Sequence, residues 1–237
     1  MCTVTFLPGI GSQYILTTSR DEQLSRPVAR GPELKKMNDY SLLYPVDPKG
    51  GGTWIACDDA GKTVCLFNGA FKAHFPEYPY RHSRGLIVPD FFQYPDAESF
   101  SLHYNFSNIE PFTLIIVEHH SLTEFKWDGE KTYLLDHEFS IPKIWSSVTL
   151  YTPEIIILRE RWFRDWKSGI VHPDQKDILE FHLNAGDGRK ETDVQMERKA
   201  LSLKTVSITS VMVSTNKAKM EYLDLRNHSN QHIELAL

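Results

Sequence analysis

The residue types with the most chemistry to offer stand at the start of the chain. Cys2 lies in Met1-Cys2-Thr3-Val4-Thr5-Phe6, and Ser19-Arg20-Asp21-Glu22 follows one hairpin later. Cysteine is small, so aminopeptidases remove a methionine that precedes it, and Met1 is predicted to be absent from protein made in cells. Cys2 would then carry a thiol and a free α-amine on one residue. The amine has an unperturbed pKa near ~8 and the thiol near ~8.5. Nucleophile and general base would sit within reach of each other, a pair suited to attack on a carbonyl carbon. The plain alternatives are a buried small hydrophobe for Cys2 and a solvated turn for Arg20-Asp21-Glu22.

The elements that must position these groups are mostly strands. Cys2–Leu7 and Tyr14–Thr18 are strand-like runs joined by the turn-rich Pro8-Gly9-Ile10-Gly11-Ser12-Gln13. A hairpin there returns Arg20 and Asp21 to the side of Cys2, where Arg20 could hold the thiolate or a substrate carboxylate. Asp21 could accept a hydrogen bond from the ammonium or the thiol. Arg26–Gly31 and Tyr44–Gly52 read as Pro/Gly-containing surface stretches. Gly51-Gly52-Thr53-Trp54-Ile55-Ala56-Cys57 reads as a strand entered through glycines, with a turn at Asp58–Gly61 and a return strand Lys62–Phe67 ending at Asn68-Gly69. The segment His74–Arg84 is aromatic and irregular. Ser83 is placed to cap a helix Arg84–Tyr94, kinked at Pro89. Phe112–Glu118, Leu122–Trp127 and Thr132–Leu135 read as a meander. Two helices follow, Glu154–Lys167 behind Pro153 and Asp174–Leu183. In the first, Ile155, Leu158, Trp162 and Trp166 recur at helical spacing. After a polar loop at Asn184–Lys190, Thr205–Val213 and Lys219–Leu225 form a last hairpin, and the final dozen residues are expected to fray.

Composition narrows the function classes. A hydrophobic content of 41% and a charged content of 24% describe an ordinary globular chain. The net charge of −5 gives no basic field for nucleic acid. No apolar run approaches the ~18 residues of a membrane helix, and the N-terminus lacks a signal-peptide pattern. Three cysteines, Cys2, Cys57 and Cys65, are too few for a disulfide scaffold and suit a reducing cytoplasm. No phosphate loop, dinucleotide fingerprint or zinc pattern is present, so no cofactor and no metal are expected. His119-His120 would face opposite sides of a strand, a poor metal pair. His74, His82, Arg81 and Arg84 could line a pocket in the irregular segment. Trp162 and Trp166 read as helix-core packing.

Several pieces occur in one order: Met-Cys-Thr-Val-Thr-Phe, Ser19-Arg20-Asp21-Glu22 with Ser25-Arg26-Pro27, Gly51-Gly52-Thr53-Trp54, Gly61-Lys62, Asn68, Arg84-Gly85 and Thr152-Pro153. Together they resemble the NRDE family, also called the transport-and-Golgi-organisation family. The resemblance is strong over residues 1–70 and traceable beyond. It implies one domain over residues 1–237 and an α+β fold, a four-layer αββα sandwich of mainly antiparallel sheets like that of N-terminal nucleophile hydrolases. Similar cysteine enzymes cleave linear amides, which implies a small-molecule substrate. There an asparagine at the end of a strand supplies an oxyanion-hole donor, and Asn68 matches that context. The resemblance thus implies Cys2, Arg20, Asp21 and Asn68 as catalytic positions and Arg84, Ser147 and Lys204 as substrate-binding positions. This chain departs from the pattern at Ser19, which replaces the family's Asn. It departs also at Ser146-Ser147, where relatives tend to carry Asn, and at Lys204, where many carry Arg. Arg20 and Asp21 are adjacent, whereas the acylases separate the pair by two residues. Eukaryotic relatives are linked to haem movement and to lipid or acyl-CoA metabolism, so a non-catalytic carrier using the same cleft is the competing expectation. The oligomeric state stays open.

Overall fold

Alternation sets the first hairpin. Val4, Phe6, Tyr14 and Leu16 point to one side and pack in a single core, while Thr3, Thr5, Thr17 and Ser19, all buried, take the other side. The computed structural model describes residues 3–237. In chain order the elements are β1 (Thr3–Pro8), β2 (Tyr14–Gln23), β3 (Arg30–Lys36), β4 (Ser41–Val46), β5 (Ile55–Asp58) and β6 (Thr63–Asn68). Then come α1 (Ile87–Phe91), α2 (Ala97–His103), β7 (Phe112–Glu118), β8 (Ser121–Trp127), β9 (Thr132–His137) and β10 (Lys143–Ser146). The chain ends with α3 (Pro153–Ser168), α4 (Gln175–Asn184), β11 (Glu197–Arg198), β12 (Leu203–Val213), β13 (Lys217–Asp224) and β14 (Ser229–Ala236).

The strands form two antiparallel sheets. One runs β10-β1-β2-β12-β13-β14 with β11 on β12, and the other runs β3 to β9 in sequence order. Phe6, Leu16, Val211 and Met220 of the first meet Leu43, Ile55, Phe67 and Val117 of the second in the core between them. On the outer face of the β3–β9 sheet, α1 and α2 pack through Ile87, Phe91 and Phe100. On the outer face of the other sheet, α3 and α4 pack through Phe163, Ile178 and Phe181 against Leu7, Ile15 and Ile144. The result is the expected four-layer αββα order. No helix among the described residues is long and apolar enough to cross a membrane.

Several expectations are corrected. Residues 30–36 and 41–46 are strands, and Tyr44 and Val46 are buried rather than surface, because β4 lies inside its sheet between β3 and β5. Ser83 does cap, its hydroxyl accepting from Gly85 N, but it starts a 3-10 turn at Arg84–Leu86, and helix continues only to Phe91. The short helix α2 and the strand β10 had no clear signal. The final residues do not fray: β14 pairs along all of β13, and Leu235 is buried in the core. His119 and His120 are not strand residues but the exposed turn between β7 and β8, with φ of 43° and 66°. In α3 the fully buried positions are Arg159 and Phe163, with Trp162 and Trp166 packed at the edge of the core.

One close approach positions the site. A Cβ on Gly52 would lie 2.2 Å from the backbone of Gly85, and Thr53 N donates to Gly85 O at 2.9 Å. The Gly51-Gly52-Thr53-Trp54 motif thus lets the 83–86 turn settle against the mouth of β5, which carries Arg84 to the rim of a cavity.

Candidate active site

The cavity has a volume of about 290 Å³ and is bounded by Arg20, Glu22, Arg26, Asp47, Thr53, Trp54, Leu66, Asn68, Tyr78, Ser83, Arg84, Gly85 and Glu110. Strand β2 supplies Arg20 and Glu22 on its inter-sheet face. Arg20 lies with its guanidinium carbon 4.8 Å from the centre of a Trp54 ring. The indole is fixed by its own donation to Thr209 Oγ1 at 3.2 Å. Arg20 Nη2 stands 3.4 Å from Glu22 and 3.5 Å from Asp47. Burial lowers its pKa from the ordinary arginine value, and the charges of Glu22 and Asp47 oppose that. Arg26 holds Asp47 more tightly, at 2.5 and 3.0 Å. Burial works against ionisation of Asp47, but the hydrogen bond and charge of Arg26, with the charge of Arg20, keep it below the usual carboxylate range. Across the cavity Arg84 pairs with Glu110 at 3.1 Å and donates to Pro111 O at 3.0 Å. Burial lowers its pKa too, and Glu110 opposes the shift.

Asn68 ends β6. Its backbone pairs with Phe112, and its carbonyl accepts from Ser147 Oγ at 2.8 Å. Its side-chain amide, which carries two N–H donors, borders the cavity and has no hydrogen bond to any described residue.

Three of the sequence-derived positions therefore share one cavity: Arg20, Asn68 and Arg84. Cys2 lies outside the described residues. Asp21 does not line the cavity. It follows Arg20 on the strand and so projects to the opposite face, where Tyr151 Oη donates to it at 2.6 Å and Thr205 Oγ1 at 2.5 Å. A bulge on β12 explains the second contact. Thr205 pairs with Asp21 and Ser207 with Arg20, leaving Val206 extra. That extra residue turns Thr205 onto the Asp21 side. Ser147 is fully buried, bonds Asn68 O and Thr149 Oγ1, and so ties the end of β6 to the β10 side of the other sheet; it does not border the cavity. Lys204 sits half-buried on β12, in register with Glu22, and does not border the cavity.

Behind the hairpin lies a polar layer the sequence reading missed. His182 of α4 is fully buried between Ser19 Oγ at 2.7 Å and Thr5 Oγ1 at 2.8 Å. Burial pushes its imidazole down to about 3, and the charge of Arg159 adds to the shift. Arg159, also fully buried, donates to Thr3 Oγ1 at 2.6 Å, to Thr192 O at 3.0 Å and to Asp193 O, and it stacks 3.7 Å from the Tyr151 ring. An arginine four residues from Phe163 and from Ile155, inside the apolar stripe of α3, was the available signal. Asp47 and Glu110 were missed at the cavity because nothing local marks their partners, 21 and 26 residues away at Arg26 and Arg84. Among the described residues no group of three or more His, Cys, Asp or Glu side chains is arranged to hold a metal.

Comparison with known proteins bears on the family and the fold. The family model for Transport and Golgi organisation 2 matches residues 1–146. No curated protein sequence matches the chain. Among solved structures, one variant of the conjugated bile acid hydrolase from Clostridium perfringens superposes with a TM-score of 0.59 at 11% identity, covering 98% of this chain and 92% of that one. A second variant of that enzyme gives 0.57 at 11% identity over 99% and 92%. The Caenorhabditis elegans N-acylethanolamine-hydrolyzing acid amidase ortholog gives 0.57 at 12% identity over 88% and 92%. At such identities the likeness establishes the fold, that of N-terminal nucleophile hydrolases.

Proposed function

The chain belongs to the Transport and Golgi organisation 2 family, and on that premise we propose that it is an N-terminal cysteine hydrolase that cleaves a linear amide of a small polar molecule. One observation carries the reading: Arg20 of β2 and Asn68 of β6, far apart in sequence and on different sheets, border the same cavity. Both structural neighbours named for an amidase or hydrolase activity share this fold.

After removal of Met1, the Cys2 thiol gives its proton to the α-amine, and the thiolate attacks the amide carbon, forming a C–S bond. Asn68 donates to the oxygen that takes up the negative charge, a contribution of roughly 3–4 kcal/mol for a preorganised donor. The C–N bond then breaks as the leaving amine takes the proton back. Water adds to the thioester by the same route and releases the acid. Asp21, held by Tyr151 and Thr205, acts from the strand's other face as a positioning residue.

The cavity does not favour a carrier of haem or lipid. Such ligands need apolar walls, and Trp54, Leu66 and Tyr78 are outnumbered here by three arginines and three carboxylates. The test is turnover of a panel of acyl amides by wild-type and Cys2→Ala protein. Hydrolysis by the wild type alone is expected. Equal turnover by both would defeat the reading.

A further inference from the structure

Hydrogen-bond donors in the cavity outnumber the acceptors left to receive them. A guanidinium carries five N–H groups and no acceptor. The carboxylates are already engaged. Asp47 Oδ2 accepts from Arg26, and its Oδ1 accepts from Lys49 N. Glu110 gives one oxygen to Arg84 and the other to His74, each at 3.1 Å. Glu22 gives Oε1 to Gln23 N and Oε2 to Arg20 and Arg26.

Arg20 is different. It is only 4% exposed, yet it reaches its acids through a single nitrogen, Nη2, at 3.4 and 3.5 Å. Its Nε and Nη1 have no hydrogen-bond partner among the described residues, and the side chain borders the cavity. Stacking on Trp54 covers the face of the guanidinium and leaves its N–H edge for a ligand.

We propose that this site takes a small amide bearing a single carboxylate, docked edge-on against Arg20 with Arg84 across the cavity. A planar carboxylate matches the parallel N–H donors of a guanidinium fork. Three arginines face three carboxylates, a formal balance of zero, so no net positive charge draws in an anion. The one charge the site accepts is the one the Arg20 N–H edge bonds directly, and a second would only add repulsion from Glu22, Asp47 and Glu110. Size limits the ligand further, since about 290 Å³ lies at the low end of the ~300–1,000 Å³ usual for ligand pockets. The amide part of this assignment rests on the hydrolase reading. The anion site does not.

The test is calorimetric titration of Cys2→Ala protein with N-acetylglycine, its neutral counterpart N-acetylglycinamide, and the corresponding dianionic phosphonate. N-acetylglycine is expected to bind about tenfold tighter than the neutral amide, the scale of a charge-assisted pair. Arg20→Lys, which keeps the charge and loses the fork, should remove most of that preference while circular dichroism confirms the fold. Arg84→Gln should reduce it by a smaller factor. Equal binding of the neutral amide, tighter binding of the phosphonate, or no binding of any of the three would overturn the proposal. A carboxylate preference in a protein whose wild type hydrolyses no amide would remove the hydrolase reading and leave this site standing.

Discussion

The two faces of β2 treat their polar groups in opposite ways. On the helix side, Ser19 and Asp21 are buried and bonded, Ser19 to His182 and Asp21 to Tyr151 and Thr205. Arg20, between them, faces the cavity with long contacts and donors to spare. Three consecutive residues therefore divide into two bonded ones that build the hairpin and one that borders the cavity with Nε and Nη1 unpartnered among the described residues. Burial alone does not separate the two classes, since all three are buried. Hydrogen-bond saturation does.

The largest expected effect tests the saturated face. Arg159→Ala removes donors to Thr3, Thr192 and Asp193 and leaves a void against Tyr151. Urea unfolding should show a loss of about 3–5 kcal/mol. A loss under about 1 kcal/mol would mean the network is not structural. Asn68→Ala should do the reverse, cutting turnover about 10²–10³-fold with an unfolding midpoint close to wild type. A variant that unfolds early but keeps full turnover when folded would place Asn68 on the structural side of the comparison. Gly52→Ala should cost about 1–3 kcal/mol by overpacking, because its Cβ would strike the Gly85 backbone. It should also displace Arg84 and weaken ligand binding, and unchanged stability would refute the close approach.

His182 gives the smallest effect per step and a defined sign. Its folded pKa, about 3, lies below the ordinary histidine value. The unfolded chain therefore binds the proton more readily, and the stability from neutral His182 is complete above the unfolded pKa. That stability is lost as pH falls from about 6.5 toward 3, at about 1.4 kcal/mol per pH unit. Denaturation midpoints for wild type and His182→Gln across that window should converge as the pH is lowered. Parallel curves would contradict the buried neutral imidazole.

The sequence made the first hairpin, the β5–β6 hairpin, the meander and both long helices legible, because each has local alternation, caps or turn residues. Asp174 capping α4 with Asp177 returning the bond is such a signal. Strands β3, β4 and β14 were missed because charged residues on exposed faces and prolines hide a pairing that only neighbouring strands supply. Arg20, Asn68 and Arg84, which motif order picks out, border one cavity. Asp21 is grouped with Arg20 in the sequence through the hairpin that returns both toward Cys2, whereas strand alternation sends their side chains to opposite faces of β2. Ser147 and Lys204 came from positions in relatives and have no cavity contact here. Glu110, Asp47 and the Arg159–His182 layer depend on long-range packing that no local pattern encodes.

The central claim is that Cys2 is a nucleophile with its amine free, and mass spectrometry of the intact protein tests it most directly. Protein from cells would be mixed with an activated acyl amide, quenched in acid at early times, and mapped by peptide. The account predicts a chain lacking Met1 that carries one acyl group on Cys2. Cys57 and Cys65, whose thiols burial pushes up to about 12, should stay unmodified. Retained Met1, or acyl groups spread over the three cysteines without preference, would contradict it.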